Sequence, residues 1–110
     1  MTTDTDIVIA GGGLNGPALA IALAQIGLRV TVVDPLPVDT RRQADFDGRG
    51  YALALTSVRM LQVLGVWNRL ADHAQPILDI KVSDGRPGEG AAPWFVHFDH
   101  REIEEGPWGT

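Results

Sequence analysis

The 110-residue chain contains no cysteine. Disulfides, a thiolate nucleophile and a cysteine zinc site are therefore excluded, and a reducing cytoplasm is permitted without being required. Basic residues are in deficit, with 9 Lys and Arg against 14 Asp and Glu and a formal charge of −5. Nucleic acid is an unsuitable partner, because a phosphate backbone calls for a basic face. Internal repeats and low-complexity tracts are lacking. Charge is also missing from Ile7 to Leu28, a stretch long enough to match a membrane span. Gly11-Gly12-Gly13, Asn15 and Pro17 within it argue against a continuous spanning helix. Asp4 and Asp6 stand where a signal peptide would carry basic residues. With 45% hydrophobic residues, the chain reads as one folded domain at most, with a modest core.

What is present begins with a β-branched run, Ile7-Val8-Ile9, that stops at Gly11-Gly12-Gly13-Leu14-Asn15-Gly16. An apolar helix is predicted from about Leu14 to Ile26, with Gly27 ending it as the C′ residue. A second β-branched run, Val30 to Val33, ends at Asp34. Strand, glycine turn, helix, strand and carboxylate in this order make a Rossmann-like βαβ unit, the arrangement that holds the adenosine diphosphate half of a dinucleotide. Gly11, Gly13 and Gly16 fit G-x-G-x-x-G. In the expected roles Gly11 permits the tight turn, Gly13 lets backbone approach a pyrophosphate, and Gly16 lets helix pack on strand. Unpaired N–H groups at the helix start then face the phosphates. Asp34 lies eighteen residues beyond Gly16, close to the offset of a ribose-binding carboxylate. A solvated strand-end turn residue ahead of Pro35 is the plainer alternative for it.

From Pro35 to Gly50 the sequence reads as a loop, and Arg41 and Arg42 as solvated residues on it with phosphate contact as the alternative. Thr56 or Ser57 is expected to cap a helix bearing Val58, Leu61 and Leu64 and stopped by Gly65. Trp67, Leu70, Ala71 and Ala74 continue the helical spacing. Leu78, Ile80 and Val82 alternate with polar residues as a half-exposed strand. After a loop opened by Asp84-Gly85, Trp94, Val96 and Phe98 form one face of another, giving an antiparallel pair. The segment Glu102 to Thr110 looks cut, and its acidic cluster Glu102, Glu104 and Glu105 reads as solvated.

Other chemistry is sparse. His97 and His100 lie three apart on a predicted strand and so face opposite sides, which makes no metal site. His73 reads as a helix-surface residue. No spacing supports a Ser-His-Asp arrangement, and no residue is nominated as catalytic.

The blocks Phe46-Asp47-Gly48-Arg49, Ala52-Leu53-Ala54, Leu64-Gly65-Val66-Trp67, Leu70-Ala71-Asp72 and Val82-Ser83-Asp84 carry a resemblance that covers nearly the whole chain. The sequence resembles the FAD-dependent aromatic hydroxylases of ubiquinone biosynthesis, the 2-polyprenyl-6-methoxyphenol hydroxylase family among the p-hydroxybenzoate hydroxylase-like monooxygenases. The resemblance implies an α/β FAD-binding domain, interleaved with a substrate domain on an antiparallel sheet. Residues 1–75 correspond to the N-terminal part of the first and residues 76–110 to strands leading into the second. It implies FAD as cofactor, held by Gly11, Gly13 and Gly16 and by Asp34, with Arg49 lying against it. Asp34 stands where the family usually has Glu; the shorter carboxylate still accepts from ribose hydroxyls, and NAD-binding enzymes use it too. The implied chemistry is reduction of FAD, its reaction with O2, and transfer of one oxygen to a polyprenylated phenol.

Two further family motifs, an Asp-Gly and a Gly-Asp segment, are absent, so the chain is expected to be an N-terminal fragment, inactive alone. Its bare strand edge is expected to make it self-associate. A greasy substrate implies a cytoplasmic enzyme in contact with the inner membrane surface, although no amphipathic anchor is visible. Two other readings stand beside this one: an NAD(P)-dependent dehydrogenase using the same turn, and a non-catalytic nucleotide-binding module.

Overall fold

The two β-branched runs form parallel strands bridged by a helix, within residues 7–33. The computed structural model describes residues 4–42 and 49–110, so Phe46-Asp47-Gly48 and the side chain of Arg42 lie outside what it describes. Contacts divide the chain into two compact units, Met1–Arg49 and Gly50–Thr110.

In the first unit, β1 (Ile7–Ala10) pairs in parallel with β2 (Val30–Val33), placing Ile7 beside Val30 and Ala10 beside Val33. Parallel neighbours need a crossover, and α1 (Asn15–Gln25) supplies it, packing on both strands. Register is pinned at the outer end by Asp6, whose carboxylate accepts from Arg29 N–H at 2.9 Å and from its guanidinium at 2.7 Å. Gly27 ends α1 at φ +90°, a conformation other residues resist. Its N–H donates to Ala24 O (3.0 Å) and that of Leu28 to Leu23 O (3.2 Å), which together form a Schellman motif. Of the small-residue row on α1, Gly16 and Ala20 are half-buried and Ala24 is exposed.

The expected loop after Asp34 contains a short helix, α2 (Val38–Arg42). Pro37 opens it, its carbonyl accepting from Arg41 N–H at 3.2 Å, because the fixed φ of proline suits a helix start.

In the second unit, α3 spans Leu55–Val63 and carries Val58, the buried hydrophobic among the described residues. Neither Thr56 nor Ser57 caps it; Ala54 holds the N-cap position with no side-chain bond. The tail sets this start instead. Leu55 N–H donates to Trp108 O at 3.0 Å and Thr110 N–H to Leu53 O at 2.8 Å, while Ala54 bridges Gly109. Gly65 ends α3 at φ +74° with the same Schellman bonding. Beyond it the helical spacing yields two 3-10 turns, Trp67–Arg69 and Ala71–His73.

The antiparallel pair is present as β3 (Asp79–Val82) and β6 (Val96–Asp99), with Ile80 opposite Phe98 and Val82 opposite Val96. Between them Gly85–Arg86 (β4) and Gly90–Ala91 (β5) form a small hairpin in what the sequence presents as loop. The segment ending at Thr110 is held on both sides, for Ile77 N–H also donates to Gly109 O and Trp108 N–H to Ile77 O. The Trp108 and Phe98 rings meet in a T-shaped arrangement, 84° between their planes and 6.2 Å between centroids.

Candidate functional site

The glycine turn lies where β1 and β2 both end. Gly11 leaves the strand at φ +116°, and its N–H donates to Val33 O at 2.8 Å, so the turn is tied to the end of β2. Gly16 stands against it closely enough that an added Cβ would lie 1.9 Å from Gly11 O. The helix mouth is thereby pressed onto the turn, and no side chain larger than hydrogen fits. At Gly13 the situation is opposite, because a Cβ there would meet nothing within 4 Å. Leu14 occupies the N-cap position of α1 and no side chain caps the helix. The first turn therefore keeps its outward N–H groups for a ligand, with the positive end of the helix dipole behind them.

Asp34 is brought directly to this turn. Its Oδ2 accepts from Gly12 N–H at 2.6 Å and its Oδ1 from Leu36 N–H at 2.8 Å. The second bond closes an Asx turn, as aspartate readily forms with the residue two further on. Arg41 is not a free solvated residue: its Nη2 donates to Oδ2 at 2.6 Å and its Nε to Oδ1 at 3.1 Å, a two-pronged ion pair. The guanidinium, followed by the Gly12 and Leu36 amides, holds the Asp34 carboxyl down at about 2. Asp6, beside Arg29, is likewise lowered to about 2.

Gly11, Gly13, Gly16 and Asp34 thus share one end of the two-stranded sheet. Arg49 is exposed and closes the first unit; its role stays with the resemblance. Sequence reasoning missed the Arg41 partnership. The available signal was the paired Pro35 and Pro37 around an Asx turn, which brings a residue seven positions on back to the carboxylate.

The second unit holds a different cluster. Ligand atoms of Asp79, His97 and Asp99 all lie within 4.8 Å of one another, because Asp79 faces Asp99 across the strand pair and His97 shares their side. His100, three residues on from His97, instead bonds to Leu78 O through Nδ1 at 3.1 Å. His97 Nε2 is bonded to Asp79, and Asp99 is taken up by the Arg101 guanidinium and by Arg101 N–H at 2.9 Å. That fork holds the Asp99 carboxyl well below the ordinary range. With a cation of the chain already on Asp99, these residues form an ion-pair cluster. His73, Glu102, Glu104 and Glu105 are exposed.

A family described as FAD binding domain matches residues 4–98. The chain is similar to ubiquinone hydroxylase UbiL of Rhodospirillum rubrum, 42% identical over 94% of this chain and 23% of that protein. Ubiquinone hydroxylase UbiM of Neisseria meningitidis is 34% identical over 89% of this chain and 20% of its own length. The 3-demethoxyubiquinol 3-hydroxylase of Escherichia coli is 45% identical over 58% of this chain and 17% of its own. The chain therefore spans less than a quarter of the length of these curated relatives.

Proposed function

The chain belongs to the FAD-binding-domain family, and from that premise we propose that it is the N-terminal part of a flavin-dependent monooxygenase hydroxylating a polyprenylated phenol in ubiquinone biosynthesis. One observation carries the nucleotide part of this reading: an uncapped helix mouth held against a glycine turn with open space over Gly13. Those residues fit a diphosphate. Gly11, Gly13 and Gly16 would hold it through backbone, Asp34 would receive the adenosine ribose, and Arg49 would lie against the cofactor. The chemistry supplied by bound FAD is activation of O2 and transfer of one oxygen to an electron-rich ring. This chain's own part is to bind and orient the cofactor, and no residue in it is assigned to the oxygen transfer. In the larger enzyme residues 1–75 belong to the FAD-binding domain and 76–110 lead into the substrate domain, a division drawn from the family's architecture.

Purified full-length protein is expected to be yellow and to release FAD on acid treatment. Given a two-electron donor such as a reduced nicotinamide dinucleotide, it is expected to hydroxylate a polyprenylated phenol in vesicles, one atom of each O2 consumed entering the ring and the other leaving as water. Protein that emerges colourless and takes up nicotinamide dinucleotide instead would establish the dehydrogenase reading. The names of the relatives and the FAD family favour the flavin. No helix among the described residues is long and apolar enough to cross a membrane; the proposed location is the cytoplasm, at the inner membrane surface where such a substrate partitions.

The 110-residue chain by itself is proposed to be inactive and to self-associate. Among the described residues each strand of the β1–β2 sheet has one unpaired edge, and Val8 and Ile26 are 61% and 74% exposed. Unpaired edges and apolar patches recruit further chains. Sedimentation velocity is expected to show species heavier than the monomer, and a single monomeric boundary would refute the idea.

A further inference from the structure

We propose that Arg41 is a latch on the nucleotide site, occupying the carboxylate that a ribose diol has to reach, so that cofactor uptake requires the Arg41–Asp34 fork to open. The inference rests on the flavin reading above and concerns residues of this chain. An ionised carboxylate offers about four acceptor positions. At Asp34 all four are taken: Gly12 N–H and Arg41 Nη2 share Oδ2, and Leu36 N–H and Arg41 Nε share Oδ1. A ribose hydroxyl can donate to this group only by displacing a present donor.

The four donors are not equally displaceable. Gly12 and Leu36 donate from backbone, and Gly12 is fixed between a turn tied to Val33 and the start of α1. Removing either bond would require the turn itself to move. Arg41 reaches Asp34 through a long side chain from the five-residue α2, and that side chain is 38% exposed. Ion pairs this accessible to water contribute little net stability, because solvation competes with them. The fork is the contact that yields. When it does, the two backbone donors still hold the carboxylate, leaving one position on each oxygen for a vicinal diol. The Arg41 Nε also lies 3.3 Å from where a Cβ on Gly12 would stand, so the closed guanidinium covers the turn as well as the carboxylate. Arg41 is a positioning residue acting through Asp34, and it sets how readily the site accepts a nucleotide.

The test uses full-length apoenzyme and FAD, with binding followed by flavin fluorescence and folding checked by thermal denaturation. Arg41→Ala is expected to tighten binding and speed association, each roughly fivefold, the scale of a partly exposed fork. Arg41→Lys, which retains the charge but loses the two-pronged geometry, is expected to fall between wild type and alanine. In an Asp34→Ala background, removing Arg41 is expected to change nothing, an outcome that a merely structural role for Arg41 would not produce. Weaker or unchanged FAD binding by Arg41→Ala, or an effect that survives without Asp34, overturns the latch while leaving the flavin reading intact. Wild-type protein that takes up no FAD overturns both.

Discussion

Replacing Gly16 by alanine in the full-length enzyme is expected to destabilise it by about 3 kcal/mol or more, at or above the upper end of what overpacking usually costs. The sign is the informative part. In an ordinary helix the same change is favourable by roughly 0.5–1 kcal/mol, since alanine loses less conformational freedom than glycine. Here the new methyl would sit 1.9 Å from the carbonyl oxygen of Gly11 and 3.0 Å from its carbon. Both are backbone atoms of a turn bonded to Val33, so neither can swing aside as a flexible side chain would. The helix has to lift off the turn, and the N–H groups at its mouth move with it. Urea denaturation is expected to give a lower midpoint at unchanged slope, and the purified variant is expected to lack flavin. A variant as stable as wild type would show that helix and turn are not pressed together.

Gly13→Val is expected to do the reverse, leaving stability within about 0.5 kcal/mol of wild type while lowering FAD affinity roughly 100-fold, about 2.7 kcal/mol. The added atoms begin in open space, with no chain atom within 4 Å of the Cβ position. Gly13 is also not among the glycines with positive φ, so a side chain there strains no backbone. Only a ligand lying close on the turn would feel it. Titration of apoenzyme with FAD, beside a urea curve, reads both quantities. Wild-type affinity in this variant would place the diphosphate somewhere other than over Gly13. Two glycines three residues apart are thus separated by which measurement each one moves.

The parts of the fold legible in the sequence are those that rest on local physics. The β-branched runs, and Gly27 and Gly65 as helix stops, each give their element from a few neighbouring residues, whereas the strand expected to be half-exposed from Leu78 begins at Asp79 and is exposed along its length. The misread parts depend on partners far along the chain. Thr56 and Ser57 have the right chemistry for a cap, yet the start of α3 is set by backbone near Trp108 and Thr110. The hairpin of β4 and β5 is hidden in glycine- and proline-rich sequence because its two-residue strands carry no alternation. In the site, the glycines and Asp34 follow from spacing alone. Arg41 does not, since a charged residue in a loop looks solvated until the chain is folded back on Asp34. The meeting of Asp79, His97 and Asp99 was hidden for a similar reason: it needs the strand register.

The bonds between the last three residues and Leu53, Leu55 and Ile77 have a consequence for the order of events at synthesis. The βαβ unit closes over about thirty residues, all of them available once Asp34 has left the ribosome. The second unit closes a ring of more than fifty, and its final ties cannot form until Thr110 has emerged. Short-range closure precedes long-range closure on entropic grounds as well. A nascent chain therefore passes through an interval in which every residue of the glycine turn and of both its strands is available while α3 still waits for the backbone that fixes its start.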